Sequence, residues 1–398
     1  MTEVAVIKNI ENIITEFDFF INMNLIPYCE LVIMVLGKKI IVRGKKTRTE
    51  KRTSSMISFK NDYSEGALPE IMEALVKTNL ESTVGYGMDE YCLQASEKIK
   101  KRINRPDAEV HFLVGGTQAN QTCISAFLRS YEAVIGVKTA HINVHETGAI
   151  EATGHKVVVI EGADGKVTPQ DIRAAVEYHS DEHMVKPKMV YVSDSTEIGT
   201  IYYKKELEEI SACCKELGLY LYLDGARLGS ALTAEGNDLT IEDIANLTDA
   251  FYIGGTKNGA LFGEAVVLLN PELKREFRYS IKQHGGMLAK GRLLGIQFDC
   301  LFTDDLFFKA AAHANRMAMK LKKGLSDWGV EFMADSVTNQ QFPIFTNEEI
   351  EALNREFLFE YNDKIDANRT AIRFCTSWAT REEDIQMLIE KVKSIVRR

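Results

Sequence analysis

Three polar clusters stand where apolar runs end. Residues 111–114 lead into Gly115-Gly116-Thr117-Gln118-Ala119-Asn120, which opens a helical pattern. Residues 219–223 end at Asp224-Gly225-Ala226-Arg227, and residues 250–253 end at Gly254-Gly255-Thr256-Lys257-Asn258-Gly259. Two glycines and a threonine at a helix start present unpaired N–H groups to an anion, and the helix dipole adds to the attraction. A carboxylate after a strand can hold a protonated ring nitrogen, and a lysine flanked by glycines can form an imine with an aldehyde. Taken singly, each has a plainer reading: a structural turn, a helix cap, an exposed turn lysine. Neither a P-loop nor a dinucleotide-binding glycine fingerprint is present.

Together the three are harder to set aside. An anion cradle, a carboxylate and a lysine 33 residues beyond it, all at strand ends, match what pyridoxal 5'-phosphate requires. The cradle takes the phosphate, Lys257 the aldehyde, and Asp224 keeps the pyridine nitrogen protonated.

The elements that must position these groups follow a strand–helix alternation from Met56 onward. Short β-branched or aromatic runs occur at 109–114, 133–137, 156–160, 188–193, 219–223, 249–254 and 264–269. Helical periods separate most of them, at 168–179 with Pro169 in the first turn, and at 204–217 with Leu207, Ile210, Cys214 and Leu217 on one face. This order predicts an α/β fold with a mostly parallel sheet flanked by helices, and in such sheets ligands sit beyond the carboxyl ends of the strands. After about residue 300 the rhythm changes. A long helix over 305–328, strands at 329–332, 341–345 and 371–374, and a closing helix over 381–396 predict a smaller α+β domain. The expected division is therefore a leader (1–55), a large cofactor-binding domain (56–300) and a small C-terminal domain (301–398).

Composition bounds the function. The 398 residues carry 48 Lys+Arg and 57 Asp+Glu, for a net charge of −9, which argues against a general nucleic-acid binder. Seven cysteines at positions 29, 92, 123, 213, 214, 300 and 375 show no C-x-x-C spacing. They read as reduced thiols in the cytoplasm, not as a disulfide framework or zinc site. The leader is basic, and its apolar stretch at 25–36 is too short to cross a bilayer as a helix and is broken by Pro27 and Glu30. We expect residues 1–55 to lie outside the functional fold, with Met56 an alternative start. No membrane or metal role is expected.

The run of motifs resembles the threonine aldolase and β-eliminating lyase family, which has the fold-type I pyridoxal-phosphate architecture. The resemblance covers 57–398 and is carried by Phe59-Lys60-Asn61-Asp62, Tyr86-Gly87-Met88-Asp89, Gly116-Thr117-Gln118-Ala119-Asn120, Ala140-His141 with Glu146, Asp224-Gly225-Ala226-Arg227, Lys257 and Gly285-Gly286-Met287. It implies that Lys257 binds the cofactor's aldehyde and that Gly116 and Thr117 hold its phosphate. It also implies that Asp224 meets the ring nitrogen, that His141 stacks on the ring, and that Arg227 and Arg373 grip a substrate carboxylate. Asn61 stands where many relatives have a serine contacting that carboxylate. His141 with His145 has an alternative reading as half of a metal pair, without an evident third ligand.

One departure bears on the reaction. Relatives commonly have an Asn-Thr-His-Asn run where this chain has Ser195-Thr196-Glu197-Ile198-Gly199. Glu197 thus takes the place of a histidine near the substrate's β-hydroxyl, and it becomes the expected base for that proton. The resemblance implies cleavage of the Cα–Cβ bond of β-hydroxy-α-amino acids, threonine to glycine and acetaldehyde. The alternatives are another pyridoxal-phosphate lyase or racemase on the same fold, and an inactive binding protein. A homodimer or homotetramer is implied, with Tyr86 and the turn at 283–287 as candidate contacts between subunits.

Overall fold

The structure is a computed structural model and describes residues 29–36, 39–46 and 56–396. The chain divides between Ser55 and Met56 into two units. In the first, β1 (Cys29–Leu36) and β2 (Lys39–Lys46) pair antiparallel, Leu36 opposite Lys39. The remainder of the expected leader lies outside the described residues.

The second unit begins with β3 (Ile57–Ser58) and is built on a seven-stranded sheet. Its strands are β4 (Glu109–Leu113), β5 (Glu132–Val137), β6 (Val157–Ile160), β7 (Lys186–Ser193), β8 (Tyr220–Asp224), β9 (Ala250–Gly254) and β10 (Glu264–Leu268), in the order β4-β10-β9-β8-β7-β5-β6. Pairing is parallel from β9 through β8, β7 and β5 to β6, while β10 runs antiparallel to both β9 and β4. Every residue of β5, β9 and β10 is buried, as expected of strands covered on both faces. The covering helices have clear start signals. Thr168 caps Pro169–Tyr178 in a reciprocal box with Asp171, and Thr240 does the same for Ile241–Leu247 with Asp243.

The strand ends are drawn together by glycine. A Cβ on Gly225 would overlap the Tyr252 carbonyl, and one on Gly254 would overlap the Ala226 carbonyl. The loop carrying Asp224 can therefore lie directly against the loop carrying Lys257, with Gly254 N donating to Gly225 O at 2.9 Å.

After the 21-residue helix Leu306–Ser326, β11 (Gln340–Gln341), β12 (Ile344–Thr346), β13 (Phe357–Leu358), β14 (Glu360–Lys364) and β15 (Arg369–Cys375) follow. β15 pairs antiparallel with β11, β12 and β14, and β13 pairs parallel with β3. A second core of Phe59, Leu321, Phe345, Phe357, Phe374 and Leu388 fills the space under the helix Glu382–Ile395.

Three expectations need correction. Residues 329–332 make one isolated bridge, Phe332 to Pro343, and no strand. The strand expected over 341–345 is split, because Pro343 has no N–H to continue a ladder. β14 was missed altogether: Glu-Tyr-Asn-Asp-Lys lies mostly exposed at an edge, so it shows no apolar alternation.

Candidate active site

Asp224 closes β8 and is buried. Its Oδ2 accepts from Tyr191 Oη at 2.5 Å and from Asn120 Nδ2 at 3.0 Å. Its Oδ1 accepts from Ala226 N at 3.0 Å and from Tyr252 Oη. Burial pushes the hydroxyls of Tyr191 and Tyr252 well above the usual phenol range, and the Asp224 charge adds to the shift, so both remain donors.

Asn120 sits in the helix Gly116–Phe127, whose first residue, Gly116, follows directly after Gly115. No side chain caps this N-terminus, which leaves its N–H groups available to an anion. A Cβ on Gly116 would lie 2.9 Å from Tyr252 Oη, so the helix start is seated against the same tyrosine that holds Asp224. Thr117, the next residue, is exposed.

Lys257 occupies the short turn Thr256–Asn258 after β9 and is half-buried. With His141, His145, Glu197, Arg227 and Arg373 it lines a cleft of about 360 Å³ that Tyr63, Glu360, Tyr361 and Asn362 complete. Five residues singled out from the sequence thus converge: Glu197, Arg227 and Lys257 from the ends of β7, β8 and β9, Arg373 from within β15, and His141 from the short helix His141–Val144. His141 Nδ1 lies 2.8 Å from Glu146 Oε1. Burial pulls the His141 imidazole down, but the Glu146 hydrogen bond and the charges of Glu197 and Asp224 outweigh it, for a net rise.

Arg227 and Arg373 are held differently. Arg227 is buried and bidentate on Asp62, with Nε to Oδ2 at 2.7 Å and Nη2 to Oδ1 at 3.1 Å. Burial raises the Asp62 carboxyl, but Arg227, Lys257 and a hydrogen bond from Asn339 overcome this and bring it down to about 2. Arg373 makes only long contacts, 3.4 Å to Gln340 Oε1 and 3.5 Å to Lys60 O, and its Nε is buried without a partner. Asn61 does not line the cleft; its Oδ1 accepts from Tyr63 N and Ser64 Oγ in a local turn.

Sequence reasoning passed over Asp62, Asn120 and Glu146 as site residues, although all three lie inside quoted motifs. It also missed Glu264, at the start of β10. Thr256 Oγ1 donates to its Oε1 at 3.0 Å while its Oε2 is buried without a partner. Burial pushes Glu264 up to about 8, opposed by the Thr256 hydroxyl and the Lys257 charge and reinforced by Asp224. No local signal marks it, since it stands within an apolar strand.

Tyr86 and Met287 line a separate surface cleft of about 230 Å³ with His111 and Arg278. Among the described residues no group of His, Cys, Asp and Glu could hold a metal ion, and the rings of His141 and His145 lie 5.5 Å apart. Cys92, Cys123, Cys213, Cys214, Cys300 and Cys375 are free. Among the same residues no helix is long and apolar enough to cross a membrane.

The residues present fit pyridoxal phosphate: an uncapped helix start, a donor-rich carboxylate at the end of β8 and an amine at the wall of the cleft. The same fold is found in aspartate aminotransferase of Thermus thermophilus, at a TM-score of 0.65 and 15% identity over 86% of this chain and 92% of that one. Together, fold and site define a fold-type I α/β protein. Residues 59–348 match the β-eliminating lyase family, and the chain belongs to it. It is 33% identical over 347 residues to a low specificity L-threonine aldolase of Pseudomonas sp. (strain NCIMB 10558), covering 86% of this chain and 99% of that protein. The corresponding Pseudomonas aeruginosa protein is 34% identical over 341 residues, covering 85% and 97%. A solved threonine aldolase of Leishmania major superposes with a TM-score of 0.85 at 50% identity, covering 86% of this chain and all of that one.

Proposed function

We propose that this chain is a pyridoxal-phosphate-dependent aldehyde-lyase that cleaves β-hydroxy-α-amino acids such as L-threonine or allo-threonine to glycine and an aldehyde. The observation that carries the reading is the convergence of Lys257, Glu197, Arg227 and Arg373 on one cleft, with Asp224 tied to the phosphate-type helix through Asn120.

When bound, the cofactor supplies a conjugated ring able to accept the electron pair of the breaking Cα–Cβ bond. Gly116 and Thr117 would hold its phosphate and Lys257 its aldehyde carbon. Asp224, fixed by four donors, would keep the ring nitrogen protonated. His141 walls the cleft, with its ring orientation set by Glu146. Arg373 lines the cleft and is held only by long contacts, and with Arg227 it would orient the substrate carboxylate; a guanidinium suits this because it offers parallel N–H groups. Glu197 would take the β-hydroxyl proton as the aldehyde departs. Which bond breaks is then decided by how these groups hold the substrate.

The relatives' names and the cleft chemistry support the same reading. We further place the protein in the cytoplasm as a homodimer or homotetramer, in which the surface around Tyr86 and Met287 meets a second copy. The functional test is a side-by-side assay of acetaldehyde from threonine and pyruvate from serine. Acetaldehyde should dominate; dominant pyruvate would make this a β-eliminating enzyme, and neither product with a bound cofactor would make it a binding protein.

A further inference from the structure

Arg227 is the more buried of the two arginines, and two of its three nitrogens are already engaged. A guanidinium carries five N–H groups. With Nε and one Nη2 hydrogen committed to Asp62, both Nη1 hydrogens and the second Nη2 hydrogen remain. Asp62 is itself buried, and Asn339 Nδ2 fixes its Oδ2 at 2.8 Å. Asn339 is anchored in turn by donating to Thr376 O at 2.9 Å and by accepting from Ser230 Oγ at 3.1 Å. The plane of the Arg227 fork is therefore set from the side away from solvent.

The segment that delivers Asp62 is rigidly placed. Phe59 belongs to the second core and its carbonyl accepts from Cys375 N at 2.8 Å, while Lys60 O accepts the long contact from Arg373. Residues 59–62 thus touch both arginines, one through a tight bidentate pair and one through a loose contact.

We propose that Asp62 is a positioning residue: it holds Arg227 in one orientation so that its free N–H groups meet the substrate carboxylate, beside those of Arg373. The inference rests on the reading that Arg227 contacts that carboxylate. An Arg227 without Asp62 would be a long, flexible cation beside the Lys257 amine, with Glu197 and Glu360 of the same cleft open to it as alternative partners.

The test uses the holoenzyme and two ligands that differ at one group, glycine and glycinamide, with binding followed by the change in the cofactor's visible absorbance. Asp62→Asn should weaken glycine about tenfold and raise the threonine KM in step, with kcat changed much less. Glycinamide, which lacks the carboxylate, should shift far less. Asp62→Glu should recover part of the loss. Asn339→Ala, which removes the amide donor to Asp62 together with the contacts to Thr376 and Ser230, should give a smaller effect of the same sign and serves if Asp62→Asn does not fold. Equal weakening of both ligands, or no change in either, would overturn the proposal. Arg227→Gln separates the two levels. If it abolishes the preference for glycine while the Asp62 and Asn339 variants keep it, only the positioning role fails. If glycine keeps its preference in Arg227→Gln, the underlying assignment of Arg227 fails as well.

Discussion

Glu146 and Asp224 share one amide: Asn120 Nδ2 donates to Glu146 Oε1 at 2.8 Å and to Asp224 Oδ2 at 3.0 Å. The carboxylate that orients His141 and the one proposed to meet the cofactor ring are therefore linked by a single side chain, which Tyr222 Oη fixes in turn at its Oδ1, 3.1 Å away. The amide adds to Tyr191 Oη on Asp224 and to His141 on Glu146, and a hydrogen bond to a charged group contributes about 1.5–3 kcal/mol.

Asn120→Ala should then destabilise the protein by about 1–3 kcal/mol and loosen both carboxylates at once. The expected result is weaker cofactor binding together with a changed His141 titration, read by cofactor absorbance and by NMR of the imidazole. A cofactor effect without a His141 effect would break the link between them.

Glu146→Gln should lower the His141 pKa, because burial already pulls it down and the Glu146 hydrogen bond is the main force raising it. A histidine whose folded pKa is raised contributes stability fully present below its unfolded value of about 6.5 and lost as pH rises through the folded value. The stability deficit of Glu146→Gln should be larger at pH 5.5 than at pH 9, on the order of 1–3 kcal/mol at the lower pH. Denaturant titrations at the two pH values measure it, and equal deficits would contradict the account.

Asp194, buried behind the Glu197 loop, behaves in the opposite way to a paired surface carboxylate. Burial raises its carboxyl to about 7, only partly opposed by the Tyr202 N–H and the Lys166 charge. Between its unfolded value and about 7 the folded protein holds the extra proton, so stability falls as pH rises through that window. Asp194→Asn has no proton to lose there. Its thermal midpoint should gain on wild type between pH 5 and pH 8, by the equivalent of roughly 2–4 kcal/mol.

Glu197→Gln should lower acetaldehyde release by about 100-fold or more, the usual loss on removing a general base. Glycine binding, which involves no β-hydroxyl, should be nearly unchanged. A variant that loses glycine binding and cleavage in parallel would place Glu197 in substrate binding instead.

Much of this arrangement was legible in local pattern, because strand ends and helix starts are local properties. β-branched runs such as 133–137 and 264–269 marked buried strands, and the glycines around Gly116 and Lys257 marked the turns between elements. What stayed hidden was long-range. Asp62 and Arg227 lie 165 residues apart, and nothing near either announces the other. Arg227 was expected to grip the substrate carboxylate, and its motif does not show that Nε and Nη2 are engaged by Asp62. The antiparallel direction of β10 was likewise not written in its composition, since a fully buried strand reads the same either way. Glu264 was concealed for the same reason, as one acid inside an apolar run.

Lys257 is proposed to carry the cofactor, and the bond itself can be captured. Holoenzyme reduced with borohydride and digested should yield a single peptide bearing a pyridoxyl group on Lys257, and Lys257→Ala should lose the yellow absorbance. A pyridoxyl group found on another lysine, or absorbance that persists in Lys257→Ala, would contradict the account.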